Sequence, residues 1–153
     1  MSERLDTIQT RTFARSSKAT AASFGPETRL TAEELCSYLD RRVFAVVGTA
    51  RPDGRPHAAM TSYVRRDDVF WLPCVAGSVR ARNIRAQPWT SLVVAEGDRG
   101  EHIVVSIEGN GEIVETDDVP DDVRGEAPGD WIDAWIRVRA ERVLSYGAKD
   151  AVR

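Results

Sequence analysis

Short strand-like segments separated by tight turns run through most of this 153-residue chain. Residues 43–50 (VFAVVGTA) are apolar without alternation, which is typical of a strand buried on both faces. Residues 51–55 (RPDGR) follow, and Gly54 can take the left-handed conformation that closes a bulged hairpin. A second strand is predicted at about 56–65 and a third at 69–74, with a turn between them.

A short helix interrupts the strands after residue 77. Ser78 is a good N-cap, residues 79–86 are helical in type, and Pro88 ends the helix. Gly109 and Gly111, in a later strand, indicate a bulge or a bend of the kind found at a barrel corner. Two of the three remaining strands are predicted at about 90–96 and 102–116. The last strand is predicted from residue 136, where apolar and charged residues alternate, and its alternation slips near Arg142.

Two segments outside the strands have their own patterns. Thr31 and Glu34 have capping-box spacing and predict a helix over about 31–41. Residues 115–130 are acidic and contain two prolines, so we expect a loop with at most one helical turn. Residues 1–30 predict a flexible N-terminal arm. About six strands with tight turns and one inserted helix indicate an antiparallel β-barrel or sandwich over residues 31–148.

Composition excludes several classes of function. A net charge of −3 gives no support for a nucleic-acid partner, and no run of about 18 apolar residues could span a membrane. Cys36 and Cys74 belong to no CxxC pair, which favours reduced thiols and a cytoplasmic protein. His57 and His102 lack partners at ligand spacing, so no metal site is expected.

The segment 76–85 (AGSVRARNIR) has the strongest chemical pattern in the chain. It carries three arginines and no acid, although the chain is acidic overall. Arg80 falls in the first turn of the predicted helix, where a cation opposes the helix dipole at a cost of about 0.3–1 kcal/mol. Free backbone amides, a serine hydroxyl and an arginine together make a site for an anion such as phosphate. The alternative is that the arginines only solvate an exposed helix face.

The order of these segments resembles the pyridoxamine 5′-phosphate oxidase-like split-barrel superfamily, in its flavin/deazaflavin oxidoreductase branch. The motifs that carry the resemblance are the turn RPDGRPH at 51–57 and the helix start GSVRARNI at 77–84, followed by Gln87 and Pro88. The resemblance covers about residues 31–146. It implies a mostly β protein, a six-stranded antiparallel split β-barrel of the FMN-binding type, that forms a homodimer with FMN in the groove between its two copies.

The resemblance also implies which residues bind the cofactor. Ser78 and Arg80, with Val79 and Arg82 beside them, would hold the phosphate, and Arg80 stands where the family usually has a lysine. The second strand would face the flavin ring, and the end of the third strand would contribute as well. These strand residues are Ala59, Met60, Thr61, Ser62, Pro73 and Cys74.

The chain departs from the family pattern at two places. Pro73 and Cys74 supply no hydroxyl, and Val79 replaces a second basic residue. These departures leave the larger deazaflavin coenzyme F-420 open as the cofactor. The expected function is hydride transfer between FMN and a small molecule, with no catalytic side chain identified and specificity in the groove and the 115–130 loop. The alternatives are an F-420-dependent reductase, a barrel that binds haem or flavin without turnover, and a dimerisation module with an empty groove.

Overall fold

The computed structural model describes residues 2–148, which form a curled antiparallel sheet with short helices. The strands are β1 (Phe44–Ala50), β2 (Pro56–Ser62), β3 (Val64–Arg66), β4 (Val69–Cys74), β5 (Trp89–Asp98), β6 (Glu101–Glu115), β7 (Ala134–Arg139) and β8 (Arg142–Gly147). The helices are α1 (Leu5–Ala14), α2 (Lys18–Ser23), α3 (Ala32–Arg41), α4 (Val79–Ala86) and α5 (Asp121–Glu126). Two 3-10 turns span Pro26–Thr28 and Thr116–Asp118. The strand order is β2-β1-β5-β6-β7-β4-β3, and β8 pairs with β6.

The mostly β split-barrel fold is confirmed, but the structure has eight strands where the sequence predicts six. The predicted strand 56–65 is broken at Tyr63, whose hydroxyl donates to the carbonyl of Leu39 at 2.6 Å. The predicted last strand is divided at Ala140 and Glu141, whose amides donate to the carbonyls of Asp68 and Glu108 at 2.8 and 2.9 Å. These partners are distant in sequence, so the local pattern could not reveal either break.

The predicted bend in the long strand is confirmed at Gly109 and Gly111. Strand β6 pairs with β5 as far as Asn110 and with β7 from Gly111 onward, so it passes from one half of the sheet to the other. A Cβ atom at Gly109 would lie 2.0 Å from the carbonyl oxygen of Arg139. Only glycine allows the two backbones to approach this closely at the corner.

The core lies inside the curled sheet. Alternate side chains of β1, β5 and β6 point inward and are fully buried, and each such aliphatic residue contributes about 1.5–3 kcal/mol. A smaller cluster under α5 buries Trp71 and Trp135 together with Val119 and Val123. The acidic segment predicted as a loop therefore contains a real helix, because Val123 anchors α5 on the outer side of β4 and β7.

The predicted capping box at the start of α3 is also confirmed. The Glu34 amide donates to Thr31 Oγ1 at 3.3 Å, and the Thr31 amide donates to Glu34 Oε2 at 2.8 Å. Leu35, Tyr38 and Leu39 are then buried on one face of the helix. None of the helices within residues 2–148 combines the length and the apolar character needed to cross a bilayer.

The N-terminal segment differs from the flexible arm predicted for residues 1–30. Helix α1 packs along β8, and Ile8 is completely buried. Thr12 Oγ1 accepts the amide of Val143 at 3.1 Å, and Gln9 Nε2 donates to the carbonyl of Leu30 at 2.9 Å. The prediction is wrong for α1 because its apolar residues are few and its polar contacts are made with a strand more than 100 residues away.

Candidate functional site

Helix α4 begins beside the end of β4, and its first turn has free hydrogen-bond donors. Ser78 is the N-cap, as predicted, and its Oγ accepts the Ala81 amide at 3.3 Å. The amides of Val79 and Arg80 have no acceptor within residues 2–148. A Cβ atom at Gly77, the residue before the N-cap, would meet nothing within 4 Å, so the space beside this residue is open. This entrance can therefore receive an anion on backbone N–H groups.

The Arg80 side chain lies against the end of β4. Its Nη2 donates to the carbonyl of Pro73 in a long bond of 3.4 Å, and its Nε is enclosed without any partner in the described part of the chain. A guanidinium carries five N–H donors, and a buried donor without an acceptor is costly. The Arg80 side chain is therefore partly buried against β4, whereas Arg82 is exposed to solvent.

Cys74 ends β4 and is fully buried. Burial raises the pKa of its thiol to about 11, and the nearby Arg80 charge offsets only part of this shift. The thiol is therefore neutral at physiological pH, so Cys74 contributes packing and not a nucleophile. Its carbonyl accepts the Asp133 amide at 3.3 Å, and Asp133 Oδ1 accepts the Ala76 amide at 2.6 Å. Asp133 thus fixes the loop that leads from β4 into α4.

The four predicted residues of β2 are divided between its two faces. Ala59 and Thr61 point toward the core with the buried side chains of β1, and Thr61 Oγ1 donates to the carbonyl of Ser62 at 3.0 Å. Met60 and Ser62 point to the outside, and Met60 is 68% exposed. A flat ligand that contacts the strand edge therefore reaches backbone groups more readily than the Thr61 hydroxyl.

The outer edge of β2 is available because β2 pairs only with β1 among the strands of residues 2–148. The Tyr63 amide donates to the carbonyl of Val43 at 3.0 Å, so this pair is a hydrogen-bonded one. Hydrogen-bonded and non-hydrogen-bonded pairs alternate in an antiparallel ladder. The N–H and C=O groups of Ala58 and Met60 consequently point away from β1 and can bind a ligand.

The sequence analysis missed a hydrogen bond between the β1–β2 hairpin and helix α4, which joins Thr49 to Asn83. His57 is half-buried, lies opposite Thr49, and has an enclosed Nδ1 atom without a partner in the described residues. Thr49 Oγ1 in turn accepts Asn83 Nδ2 of α4 at 3.0 Å. No local sequence pattern linked Thr49 to Asn83, because the two residues are 34 positions apart. Among residues 2–148, no group of three or more His, Cys, Asp or Glu side chains could hold a metal ion.

An exposed apolar surface adjoins the edge of β2. Phe44, Val46 and Met60 are 53%, 46% and 68% exposed, and they share the outer face of β1 and β2. Val93 of β5 lies opposite Val46 on the same face. We call this surface the outer apolar face. Contiguous exposed apolar residues of this kind commonly mark an interaction surface.

Comparison with solved structures identifies relatives of the same fold. Rv2991, a conserved hypothetical protein from Mycobacterium tuberculosis, is 23% identical, with 82% of this chain and 89% of that chain covered and a TM-score of 0.68. An FAD-binding protein from Mesorhizobium loti is 21% identical, with 76% and 92% covered and a TM-score of 0.60. HutZ, the haem storage protein from Vibrio cholerae, is 13% identical, with 78% and 96% covered and a TM-score of 0.61.

The sequence comparisons give one family. No curated protein sequence matches the chain. The family model described as pyridoxamine 5′-phosphate oxidase matches residues 31–147, which include every strand and the whole of the α4 entrance. The match and the eight-stranded curled sheet agree, and the chain therefore belongs to the pyridoxamine 5′-phosphate oxidase family of split barrels.

Proposed function

We propose that this protein is an FMN-binding oxidoreductase that transfers hydride between the flavin and a small organic molecule. The observation that carries the proposal is Arg80, a partly buried arginine whose enclosed Nε has no partner within residues 2–148. Such an arrangement is costly in a protein without a ligand and favourable beside an anion.

The phosphate would lie at the start of α4. The amides of Val79 and Arg80, the Ser78 hydroxyl and the Arg80 guanidinium offer donors of complementary charge there. Arg82, which is exposed on the same helix, would add a more distant positive charge. The residues present therefore fit a phosphate, although they offer fewer hydroxyl donors than the family pattern.

The ring system would lie along the free edge of β2, near Ala59, Met60, Thr61 and Ser62. The outward N–H and C=O groups of this strand suit the polar edge of a flavin, and Pro73 and Cys74 at the end of β4 would close one side. The bound flavin supplies the hydride chemistry, and the protein supplies orientation and charge. His57 lies on the same strand as these residues, and its enclosed Nδ1 has no partner within residues 2–148.

A second copy of the chain would complete the site. The outer apolar face carries three exposed large apolar residues beside the edge of β2, and a homodimer would bury them. The groove between two such faces would run next to the α4 entrance. Cys36 and Cys74 are both unpaired, which suits a reducing cytoplasm.

Two other cofactors compete with FMN on this fold. Coenzyme F-420 is larger, and the absence of a hydroxyl at Pro73 and Cys74 and of a basic residue at Val79 leaves it open as the cofactor. Haem storage is the role of one structural neighbour, HutZ, and His57 or His102 would be the candidate axial ligands here. His102 is exposed and stacks on Tyr146 at 4.9 Å between ring centroids, so it is the less suitable of the two.

Cofactor titration tests the proposal. The visible spectrum of the purified full chain is recorded first, and the apoprotein is then titrated separately with FMN, F-420 and haem. We expect saturable quenching of FMN fluorescence with one FMN per chain and weaker binding of the other two. Tight binding of F-420 or haem, or no response to FMN, would overturn the assignment of FMN.

A further inference from the structure

A cavity of about 520 Å3 lies on a different part of the molecule from the α4 entrance. One wall is the N-terminal segment 2–6, the second is α3 from Ala32 to Ser37, and the third is the turn between β3 and β4. The family match begins at residue 31, so the first wall lies outside the matched segment. The volume is within the range of small-molecule sites, about 300–1,000 Å3.

The basic side chains of this cavity are already neutralised. Arg65 donates to both carboxylate oxygens of Asp40, from Nε at 2.9 Å and from Nη2 at 2.8 Å. Arg4 donates in the same two-pronged way to Asp6, at 3.0 and 3.1 Å. A guanidinium held bidentately by one carboxylate has little charge left for a further anion. An anionic ligand is therefore disfavoured here.

Two carboxylates of the cavity remain without a cation. Glu33 and Asp67 line it, and neither forms an ion pair within residues 2–148. Asp67 is held in place because Arg65 Nη1 donates to its backbone carbonyl at 2.7 Å, in a turn where Asp67 has a φ of 53°. The open charge of this cavity is therefore negative, and it lies on two different walls.

The cavity also has an apolar part, formed by the buried Leu5 and by Ala32 with the half-buried Cys36. We propose that the cavity is a binding site for a small organic cation, with an ammonium group between Glu33 and Asp67 and an apolar body against Leu5 and Ala32. This inference does not depend on the flavin proposal, because the two sites share no residue.

The thiol of Cys36 provides a reporter inside the cavity. The measured quantity is the rate of modification by a cationic methanethiosulfonate reagent divided by the rate with an anionic reagent of similar size. At low salt we expect this ratio to be at least about fivefold larger for Cys36 than for free glutathione. Neutralising the two carboxylates together, Glu33→Gln with Asp67→Asn, should bring this ratio back to that of glutathione. Asp98→Asn with Glu101→Gln, at the two strand ends that flank the β5–β6 turn, removes the same charge elsewhere and should leave the ratio unchanged.

Protection by a ligand pair tests the binding itself. Phenethylamine and phenylacetate have similar size and opposite charge, and each is added during modification of Cys36 by an uncharged maleimide. We expect phenethylamine to slow the reaction severalfold and saturably, and phenylacetate to leave it unchanged. Equal protection by both compounds, no protection by either, or equal rates with the two charged reagents would overturn the proposal. Cys74 is fully buried, so we expect it to react slowly. The Cys36→Ser variant measures the rate at which Cys74 alone is modified, and this rate is subtracted.

Discussion

The Arg80 guanidinium donates one long hydrogen bond of 3.4 Å to the carbonyl of Pro73, and its enclosed Nε has no partner within residues 2–148. This relationship ties the start of α4 to the end of β4, the two elements that the sequence motif placed together. Arg80 is partly buried and has unused N–H donors, and the backbone amides of Val79 and Arg80 are free at the same place. The flavin proposal depends on this arrangement.

Replacing Arg80 tests that dependence. We expect Arg80→Ala to weaken FMN binding tenfold or more, because a lost charge-assisted hydrogen bond costs about 1.5–3 kcal/mol. The measurement is the dissociation constant from flavin fluorescence quenching. Arg99→Ala, in the exposed β5–β6 turn, is the charge-matched control and should bind FMN like the parent. Equal affinities for the Arg80 and Arg99 variants would show that Arg80 does not hold the phosphate.

Local sequence signals predicted the parts of this fold that depend on neighbouring residues. The turn at 51–55 closes as expected, with Gly54 at a φ of 86° and its amide donating to the Arg51 carbonyl at 2.8 Å. The Ser78 cap, the Thr31 capping box and the Gly109 corner are likewise determined within a few residues of chain, or by the special freedom of glycine. The resemblance to a family then supplied the topology.

The features that the sequence did not predict all depend on distant partners. Tyr63 interrupts a strand because its hydroxyl reaches Leu39, and α1 is ordered because Thr12 and Gln9 satisfy groups near β8. Asp133 reaches the α4 entrance from 57 residues away. Hydrophobic periodicity and helix-capping patterns involve only residues close in sequence, so they cannot predict such contacts. The candidate site was therefore predicted on α4 and β2, but the residues that support it were not.

Helix α1 should contribute strongly to stability. Ile8 is completely buried between α1 and the barrel, so we expect Ile8→Ala to lower the free energy of unfolding by about 2–4 kcal/mol. Thr7→Ala, at an exposed position of the same helix, should change it by less than about 0.5 kcal/mol. Urea denaturation followed by circular dichroism measures both. Similar values for the two variants would mean that α1 does not stabilise the barrel in solution.

The corner of β6 should tolerate no side chain. Gly109→Ala would place a Cβ atom 2.0 Å from the Arg139 carbonyl oxygen, and only a backbone shift can relieve this contact. We expect a loss of at least about 2 kcal/mol of stability, or failure to fold. Gly125→Ala is the matched control, because its Cβ meets nothing within 4 Å and α5 gains about 0.5–1 kcal/mol of helix propensity. Thermal denaturation distinguishes the two, and a Gly109 variant as stable as the parent would contradict the corner geometry.

The ion pairs of Glu96 should make the free energy of unfolding depend on pH in the acidic range. The hydrogen bond from Arg41 holds the pKa of Glu96 below its ordinary value of 4.5, and Arg42 Nη1 donates to the same carboxylate at 3.0 Å. A lowered folded-state pKa adds stability above the unfolded-state pKa, and this stability is lost as the pH falls through the folded-state value. Since the side chain is 23% exposed, we expect only about 0.5–1 kcal/mol.

The measurement compares the parent with Glu96→Gln by urea denaturation at pH 7 and at successive pH values below 4.5. The difference in stability should be full at pH 7 and should shrink as the carboxylate of the parent becomes protonated. Glu101→Gln, at the exposed first residue of β6, controls for the change in net charge. A difference that does not change with pH would mean that the ion pairs with Arg41 and Arg42 contribute nothing.

The outer apolar face should determine the oligomeric state. A homodimer formed through this face would bury Val46 and Met60, which are 46% and 68% exposed in the single chain. Val46→Glu or Met60→Glu would place an unpaired carboxylate in that interface, at a cost of about 2–5 kcal/mol, and should weaken dimerisation at least about thirtyfold. Light scattering with size-exclusion chromatography measures the mass over a range of concentrations. Ala22→Glu, at an exposed position of α2, adds the same charge away from this face and should remain dimeric. If the parent chain is monomeric at micromolar concentration, the groove between two copies does not exist, and the flavin would have to bind to one barrel alone.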